Sequence, residues 1–183
     1  ERQIGDIAFG MGPYPAATLL LDLLCELRTH YPSINTRVEV NHARYLTDHL
    51  RNETLDFFIG DVRNGDAAPD LVIRPLGQLE AGLFVRAGHP LATTPVKLAM
   101  LLPFGLASVH VPEALLLGLG QLAGLPADAP LPSVVTCDDM QVLKGLALRT
   151  DTVISCPVVG VAQSVLSGAL RALQVTGLPP LFA

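Results

Sequence analysis

Apolar positions change period several times along the chain, and each change predicts an element. Ile4 to Gly10 alternates as a half-buried strand does, and Gly10-Met11-Gly12-Pro13-Tyr14-Pro15 follows as a turn into a helix. From Ala16 to His30, Leu19, Leu20, Leu23, Leu24 and Leu27 recur at helical spacing with Asp22, Glu26 and Arg28 opposite, and Tyr31-Pro32 stops the helix. Asn35 to Val40 alternates again, and Asn41 or Thr47 is placed to cap a helix running through Arg51. Leu55 to Gly60 then reads as a strand. Its unbroken Phe57-Phe58-Ile59 predicts a central strand covered on both faces, Gly60 permits close backbone approach, and Asp61 falls at the carboxyl end. The plainer reading of the same segment is a core strand followed by a polar turn. A βαβαβ series puts the carboxyl ends near Met11, Asn41 and Asp61 on one sheet edge, the edge at which open α/β sheets bind ligands.

The polar stretch Arg63 to Asp70 separates this half from two extended runs, Leu71 to Leu76 and Gly82 to Arg86, which predict a crossing to a second lobe. There follow a turn at Gly88-His89-Pro90-Leu91, a short helix Val96 to Leu102, a strand Phe104 to Val109, a helix Pro112 to Ala123 and a Pro-rich linker Leu125 to Pro132. Alternation resumes with strand Val134 to Cys137, helix Asp138 to Leu148, strand Thr152 to Cys156, helix Gly160 to Leu170 and an extended run Leu173 to Val175. The pattern is a second small α/β lobe.

Composition narrows the function classes. Half of the 183 residues are apolar, enough for a packed core. The net charge of −5 and the lack of a Lys/Arg cluster argue against a nucleic-acid surface, which needs concentrated positive charge. The apolar runs Thr18 to Cys25 and Ala114 to Leu125 are broken by Asp22 and Gln121, short of the roughly 18 uninterrupted apolar residues of a membrane span. Glu1 to Asp6 carries no secretory-signal pattern, and a cytoplasmic location is expected. Three cysteines, Cys25, Cys137 and Cys156, have no metal-type spacing, so neither a disulfide scaffold nor a structural metal is expected, and no cofactor is indicated.

An ordered series of short motifs resembles the effector-binding domain of LysR-type transcriptional regulators. Gly5-Asp6-Ile7-Ala8-Phe9-Gly10 looks like that family's opening strand, His30-Tyr31-Pro32-Ser33-Ile34 like its turn, and Leu55 to Gly60 like its third strand. Pro75-Leu76, Leu83-Phe84-Val85 and Gly88-His89-Pro90-Leu91 resemble its crossing strand and following turn. In the second half Asp138 to Leu148 and Asp151 to Pro157 match more loosely, with Asp151 and Thr152 in place of a glycine-rich turn. The resemblance implies an α/β fold of two Rossmann-like lobes of the type 2 periplasmic binding protein kind, joined by two crossover strands. Lobe I would span 1–76, with 172–183 returning to it, and lobe II 77–171. It also implies an N-terminal winged helix-turn-helix and linker helix upstream of Glu1, and a further strand and helix after Ala183. DNA would then be contacted only through that separate domain. The expected assembly is a homodimer for this part and a homotetramer at full length, with the Ala16 to His30 helix of one copy against Gly160 to Leu170 of another.

The same resemblance implies an interlobe ligand site for a small-molecule effector, and no catalysis. Its first-lobe contacts fall on Met11, Gly12, Pro13 and Tyr14, on Asn41, His42 and Ala43, and on Gly60 and Asp61; its second-lobe contacts fall on Ser108, Val109, His110, Cys137, Asp138 and Ser155. Helix N-termini suit carboxylates, which many family effectors are. Here, however, the first loop is Met-Gly-Pro-Tyr, and Pro13 and Pro15 remove two donors, which leaves room for an aromatic acid or a more apolar ligand stacking on Tyr14. Alternatives stay open. His42 and His110 are either a pair across a closed cleft or two loop histidines; Cys137 and Cys156 are either a redox pair or small buried hydrophobes; Phe58 is core rather than a stacking group. Two rival classes share the fold: a periplasmic solute-binding protein, and a lyase or dehydratase with His42, His110, Asp61 and Glu80 as acid–base groups.

Overall fold

The structure, a computed structural model, describes residues 5–61, 70–92 and 95–182. Its contacts divide the chain into two compact units, Glu1–Leu76 and Gly77–Ala183. Most of the polar stretch Arg63 to Asp70, and Ile4 of the opening run, lie outside the described residues.

In the first unit β1 (Gly5–Met11) lies between β2 (Ile34–Val40) and β3 (Phe57–Ile59) in a parallel sheet of order β2-β1-β3. Helix α1 (Pro13–His30) joins β1 to β2, and α2 (Ala43–Arg51) joins β2 to β3. Met11 is in register with both Val40 and Ile59, so three carboxyl ends meet at one edge. α1 starts at Pro13, not at Ala16 as predicted, because proline's fixed φ suits the first helical position. Its end is as predicted, with Arg28 donating to the Pro32 carbonyl at 2.9 Å just beyond.

The covered central strand expected at Leu55 to Gly60 is corrected on two counts. β3 has three residues and stands at one side of the described sheet, and Phe57 keeps 37% of its surface exposed, its ring stacked on Phe9 at 5.2 Å. The Asp56 N–H donates to Ala8 O and the Asp56 carboxylate accepts from Ala8 N–H, both at 2.7 Å, so a side chain continues the pairing where β3 stops. Apolar burial is centred on Phe9, Met11, Leu46 and Leu55. Gly10 is what lets α2 close on the sheet: a Cβ there would meet Leu46 Cδ2 at 2.5 Å and Phe58 Cβ at 3.0 Å. The run Leu71 to Leu76 does not form a strand, and Val72 is 89% exposed.

In the second unit a six-stranded mixed sheet combines β4 (Glu80–Arg86), β5 (Leu106–Ser108), β6 (Ser133–Thr136), β7 (Val153–Pro157), β8 (Leu170–Ala172) and β9 (Leu181–Phe182). The order is β6-β5-β7-β4-β8, with β9 also on β4. β6, β5 and β7 run parallel, whereas β4 is antiparallel to β7, β8 and β9. Helices α3 (Glu113–Leu122), α4 (Met140–Arg149) and α5 (Val158–Leu166) and a short 3-10 helix at Leu98–Leu101 connect them. One apolar cluster links Leu83, Val85, Leu91, Leu98, Leu106, Leu119, Leu131 and Val153. The predicted linker Leu125 to Pro132 packs onto α3: Leu131 N–H donates to Leu116 O at 2.8 Å, and a Cβ on Gly120 would lie 2.2 Å from the Ala129 carbonyl.

Three expectations differ here. The helix predicted at Gly160 to Leu170 runs from Val158 to Leu166, because Gly168 turns the chain at φ +75° and Leu170 joins the sheet. The short helix expected from Val96 to Leu102 is one 3-10 turn, with Val96 bridging Val175 instead. Residues 172–183 belong to the second unit, where Leu181 and Phe182 pair with Ala81 and Glu80, rather than returning to the first. The His89 turn is held across the chain. Its Nδ1 accepts from Leu91 N–H at 3.0 Å, which assigns the proton to Nε2, 3.0 Å from the Asp151 carbonyl, and Arg86 Nε donates to the Asp151 carboxylate at 2.8 Å.

Candidate functional site

In the first unit three loop starts share the carboxyl edge of the sheet. Met11 is fully buried as the last residue of β1, and Gly12 is the N-cap of α1 with an extended backbone. The Gly12 N–H donates to Ile59 O at 2.8 Å, which sets Gly12 beside the backbone of Gly60; a Cβ there would lie 3.6 Å from Gly60 Cα. Pro13 and Tyr14 form the first helical positions and are half-buried. On the other side Asn41 N–H donates to Met11 O at 3.0 Å, and its side-chain oxygen accepts from His42 N–H at 2.9 Å. His42, not Asn41 or Thr47, is the N-cap of α2, and Ala43 begins the helix. Thr47 is buried within it. Gly60 and the exposed Asp61 follow β3 directly.

The far end of α2 is tied down by charge. The Glu39 carboxylate takes both the Arg37 guanidinium and His49 Nδ1, and Arg37 also donates to the Thr54 carbonyl. The hydrogen bond from His49, aided by Arg37, holds the Glu39 carboxyl below its usual range. Arg51 grips Asp70 through two bonds at 3.1 and 3.2 Å, which lowers the Asp70 pKa and raises that of Arg51. The helix that carries His42 and Ala43 is therefore held at its C-terminal end, a connection invisible to local sequence pattern because Glu39 and His49 are ten residues apart on different elements.

The second unit repeats the arrangement on its parallel strands. Ser108 and the following Val109 are buried, and Cys137 N–H donates to Ser108 O at 3.0 Å, carrying the β5–β6 pairing one residue past the strands. His110 N–H points at the Asp138 carboxylate at 3.4 Å. Asp139 caps α4, accepting from Gln141 and Val142 N–H at 2.8 and 3.2 Å. Ser155 differs from the others: it lies inside β7, paired with Leu83. The structure thus gathers Ser108, Val109, His110, Cys137 and Asp138 at one edge, with Ser155 one strand over. His42 and His110 belong to different units.

The two cysteines are not arranged as a redox pair. β5 separates β6 from β7, so Cys137 and Cys156 flank one strand, two strand spacings or roughly 9–10 Å apart. A disulfide needs Cα atoms within about 7 Å. Cys156 is fully buried, and burial pushes its thiol up to about 12, well away from reactive thiolate. Among the described residues no group of three or more His, Cys, Asp or Glu could hold a metal ion, and no helix is long and apolar enough to cross a membrane.

Comparison with known proteins accords with this architecture. The sequence profile of the LysR substrate binding domain matches residues 1–183. The chain is similar to the SDS degradation transcriptional activation protein of Pseudomonas sp. (strain ATCC 19151), 29% identical over 174 residues that cover 93% of this chain and 56% of the relative's length. It therefore spans little more than half of that relative. Among solved structures, HinK, a LysR family transcriptional regulator from Pseudomonas aeruginosa, has a similar fold, with a TM-score of 0.71 at 16% identity over 100% of this chain and 61% of HinK. So does the effector binding domain of QuiR in complex with shikimate, with a TM-score of 0.69 at 17% identity over 98% of this chain and 85% of that one.

Proposed function

The chain belongs to the LysR substrate binding domain family, and from that premise we propose that it is the small-molecule-sensing part of a LysR-type bacterial transcription regulator. The observation that carries the reading is the convergence of loop starts at the carboxyl edge of a parallel sheet in each unit, the placement used for ligands in open α/β sheets. The effector is held by Met11, Gly12, Pro13, Tyr14, Asn41, His42, Ala43, Gly60 and Asp61 from the first unit. From the second it is held by Ser108, Val109, His110, Cys137, Asp138 and Ser155. QuiR, with shikimate on a similar fold, supports a small organic effector.

The ligand acts by population shift. Contacts to loops of both units favour whichever arrangement of the two binds it more tightly, and by no more than that difference in affinity. DNA is contacted by a separate N-terminal domain, in keeping with this chain's net charge of −5, and the protein works in the cytoplasm without itself catalysing a reaction. It assembles as a homodimer through α1 and α5, as a homotetramer at full length. Exposed apolar side chains on both helices support this: Leu19 and Leu21 on α1, and Val158, Val159 and Leu166 on α5.

The test begins with a thermal-shift screen of small carboxylates, aromatic acids, sugars, amines and amino acids, since a ligand selective for the folded state raises its apparent stability. For a hit, calorimetry with Asn41→Ala and Ser108→Ala should show affinity weakened about tenfold, the worth of one good hydrogen bond. Unchanged affinity in both variants would remove these edges from the site.

A further inference from the structure

Of the five histidines, His89 is the one that the fold buries, 3% exposed, and both of its ring nitrogens are engaged. It is bonded to the residue two places before β7, so it sits at the amino edge of the parallel strands, the opposite end from Ser108 and Cys137. Leu91 N–H donates to Nδ1 and Nε2–H donates to the Asp151 carbonyl, both at 3.0 Å. An imidazole makes both bonds only when neutral; the imidazolium has two donors and no acceptor. A proton on Nδ1 would turn one N–H toward another at hydrogen-bond distance, in a place closed to water.

The surroundings offer that proton little compensation. The Asp151 carboxylate is taken by the Arg86 guanidinium, through Nε at 2.8 Å and Nη2 at 2.7 Å. Arg86 brings its positive charge to the same turn from β4, and its carbonyl accepts from His89 N–H at 3.0 Å. From the chain entering β5 the ring meets Phe104, edge-on at 4.5 Å between centroids, which carries no charge. Arg86 and Asp151 are thus the charged groups that these contacts bring to the ring. The turn also reaches the core, since Leu91 is buried in the apolar cluster with Leu83, Val85 and Val153.

We propose that His89 is a pH-sensitive latch: uptake of a proton at Nδ1 breaks the Leu91 bond, frees the turn at residues 88–91 and loosens the second unit's sheet around β4 and β7. The closed turn holds the neutral ring and the opened turn takes the proton, so the latch is intact at neutral pH and weakens as pH falls. It stands apart from the effector contacts and needs no ligand.

The test is amide exchange on the 183-residue chain between about pH 8 and 5, where imidazoles take up a proton and which stays above the reference value of Glu39. Protection factors in β4 and β7, with the intrinsic pH dependence divided out, should fall by up to about tenfold per pH unit, the limit for one proton taken up on opening. His89→Asn should give a flat profile, because its side-chain oxygen also accepts from the N–H two residues on and takes no proton. Imidazole nitrogen NMR of the unaltered chain should show the Nε2–H form at neutral pH, lost on acidification together with the protection. A profile of the same shape in His89→Asn would overturn the latch and leave a merely structural histidine. So would constant protection across the interval, an Nδ1–H ring at neutral pH, or a ring that gains its proton while β4 and β7 stay protected, and these three need no variant.

Discussion

The two units solve the same problem with unequal means. In the second, a mixed sheet closes over a contiguous cluster from Leu83 to Val153, reinforced by fully buried Phe84, Leu143, Ile154 and Leu170. In the first, burial rests on Phe9, Met11, Leu46 and Leu55, and the 18-residue helix α1 contributes no buried residue among those described. Parallel strands need long crossovers, so the first unit uses two helices to align its three strands. The second unit uses α3 and α4 in the same way between parallel β5, β6 and β7, and adds β4, antiparallel to β7, β8 and β9. The lesson is that the nine proposed contacts of the first unit stand on the less deeply packed scaffold. Segments with few buried contacts open at lower free energy, and they are where ligand binding changes protection most.

The largest expected effects come from each unit's own core. Phe9→Ala and Phe84→Ala should each cost about 3–5 kcal/mol, since both rings are essentially fully buried. The comparison predicts that Phe9→Ala collapses amide protection in β1, β2 and β3 while β4 and β7 stay protected; equal loss in both units would break it. A smaller effect separates two neighbouring glycines. Gly10→Ala forces a methyl to within 2.5 Å of Leu46 Cδ2 and should lower stability by about 1–3 kcal/mol. Gly12→Ala meets nothing closer than 3.5 Å and should leave thermal stability within about 0.5 kcal/mol. A fall in melting temperature as large for Gly12→Ala would mean that the loop, not the α2 contact, holds the unit.

The smallest effect is one of pH. Glu39 has its carboxyl pKa lowered in the folded state from a reference of 4.5, chiefly by His49. A depressed pKa means that the unfolded chain binds the proton more readily. The contribution is therefore fully present above that reference value and is lost as pH falls through the lower folded value. Asp70, lowered by Arg51, acts in the same direction. Acid titration followed by amide exchange should show α2 loosening below pH 4.5, and Glu39→Gln should flatten that response; an identical acid profile in the variant would remove the clamp from the account.

Much of this was legible in the sequence, for physical reasons that also mark its limit. Leucine spacing located α1, and the βαβ order fixed which strand ends share an edge, because right-handed crossovers leave little freedom. Proline before a helix looked like a turn, although it is acceptable at the first helical position, so α1 began earlier than expected. The helix expected from Gly160 to Leu170 ends early because Gly168 turns the chain at φ +75°, whereas the strand after it is set by pairing with β4, distant in sequence. Phe57-Phe58-Ile59 reads as a buried centre, yet its burial depends on neighbours that local pattern does not contain. The His89–Asp151 and Glu39–His49 links likewise join residues whose meeting is a product of the fold.

The most direct test of the account is hydrogen exchange on the chain with and without the tightest ligand found by screening. The account predicts new protection at residues 11–14, 41–43 and 60–61 and also at 108–110 and 137–138, with the larger gain in the first unit. Protection confined to one unit, or found away from both strand edges, would contradict it.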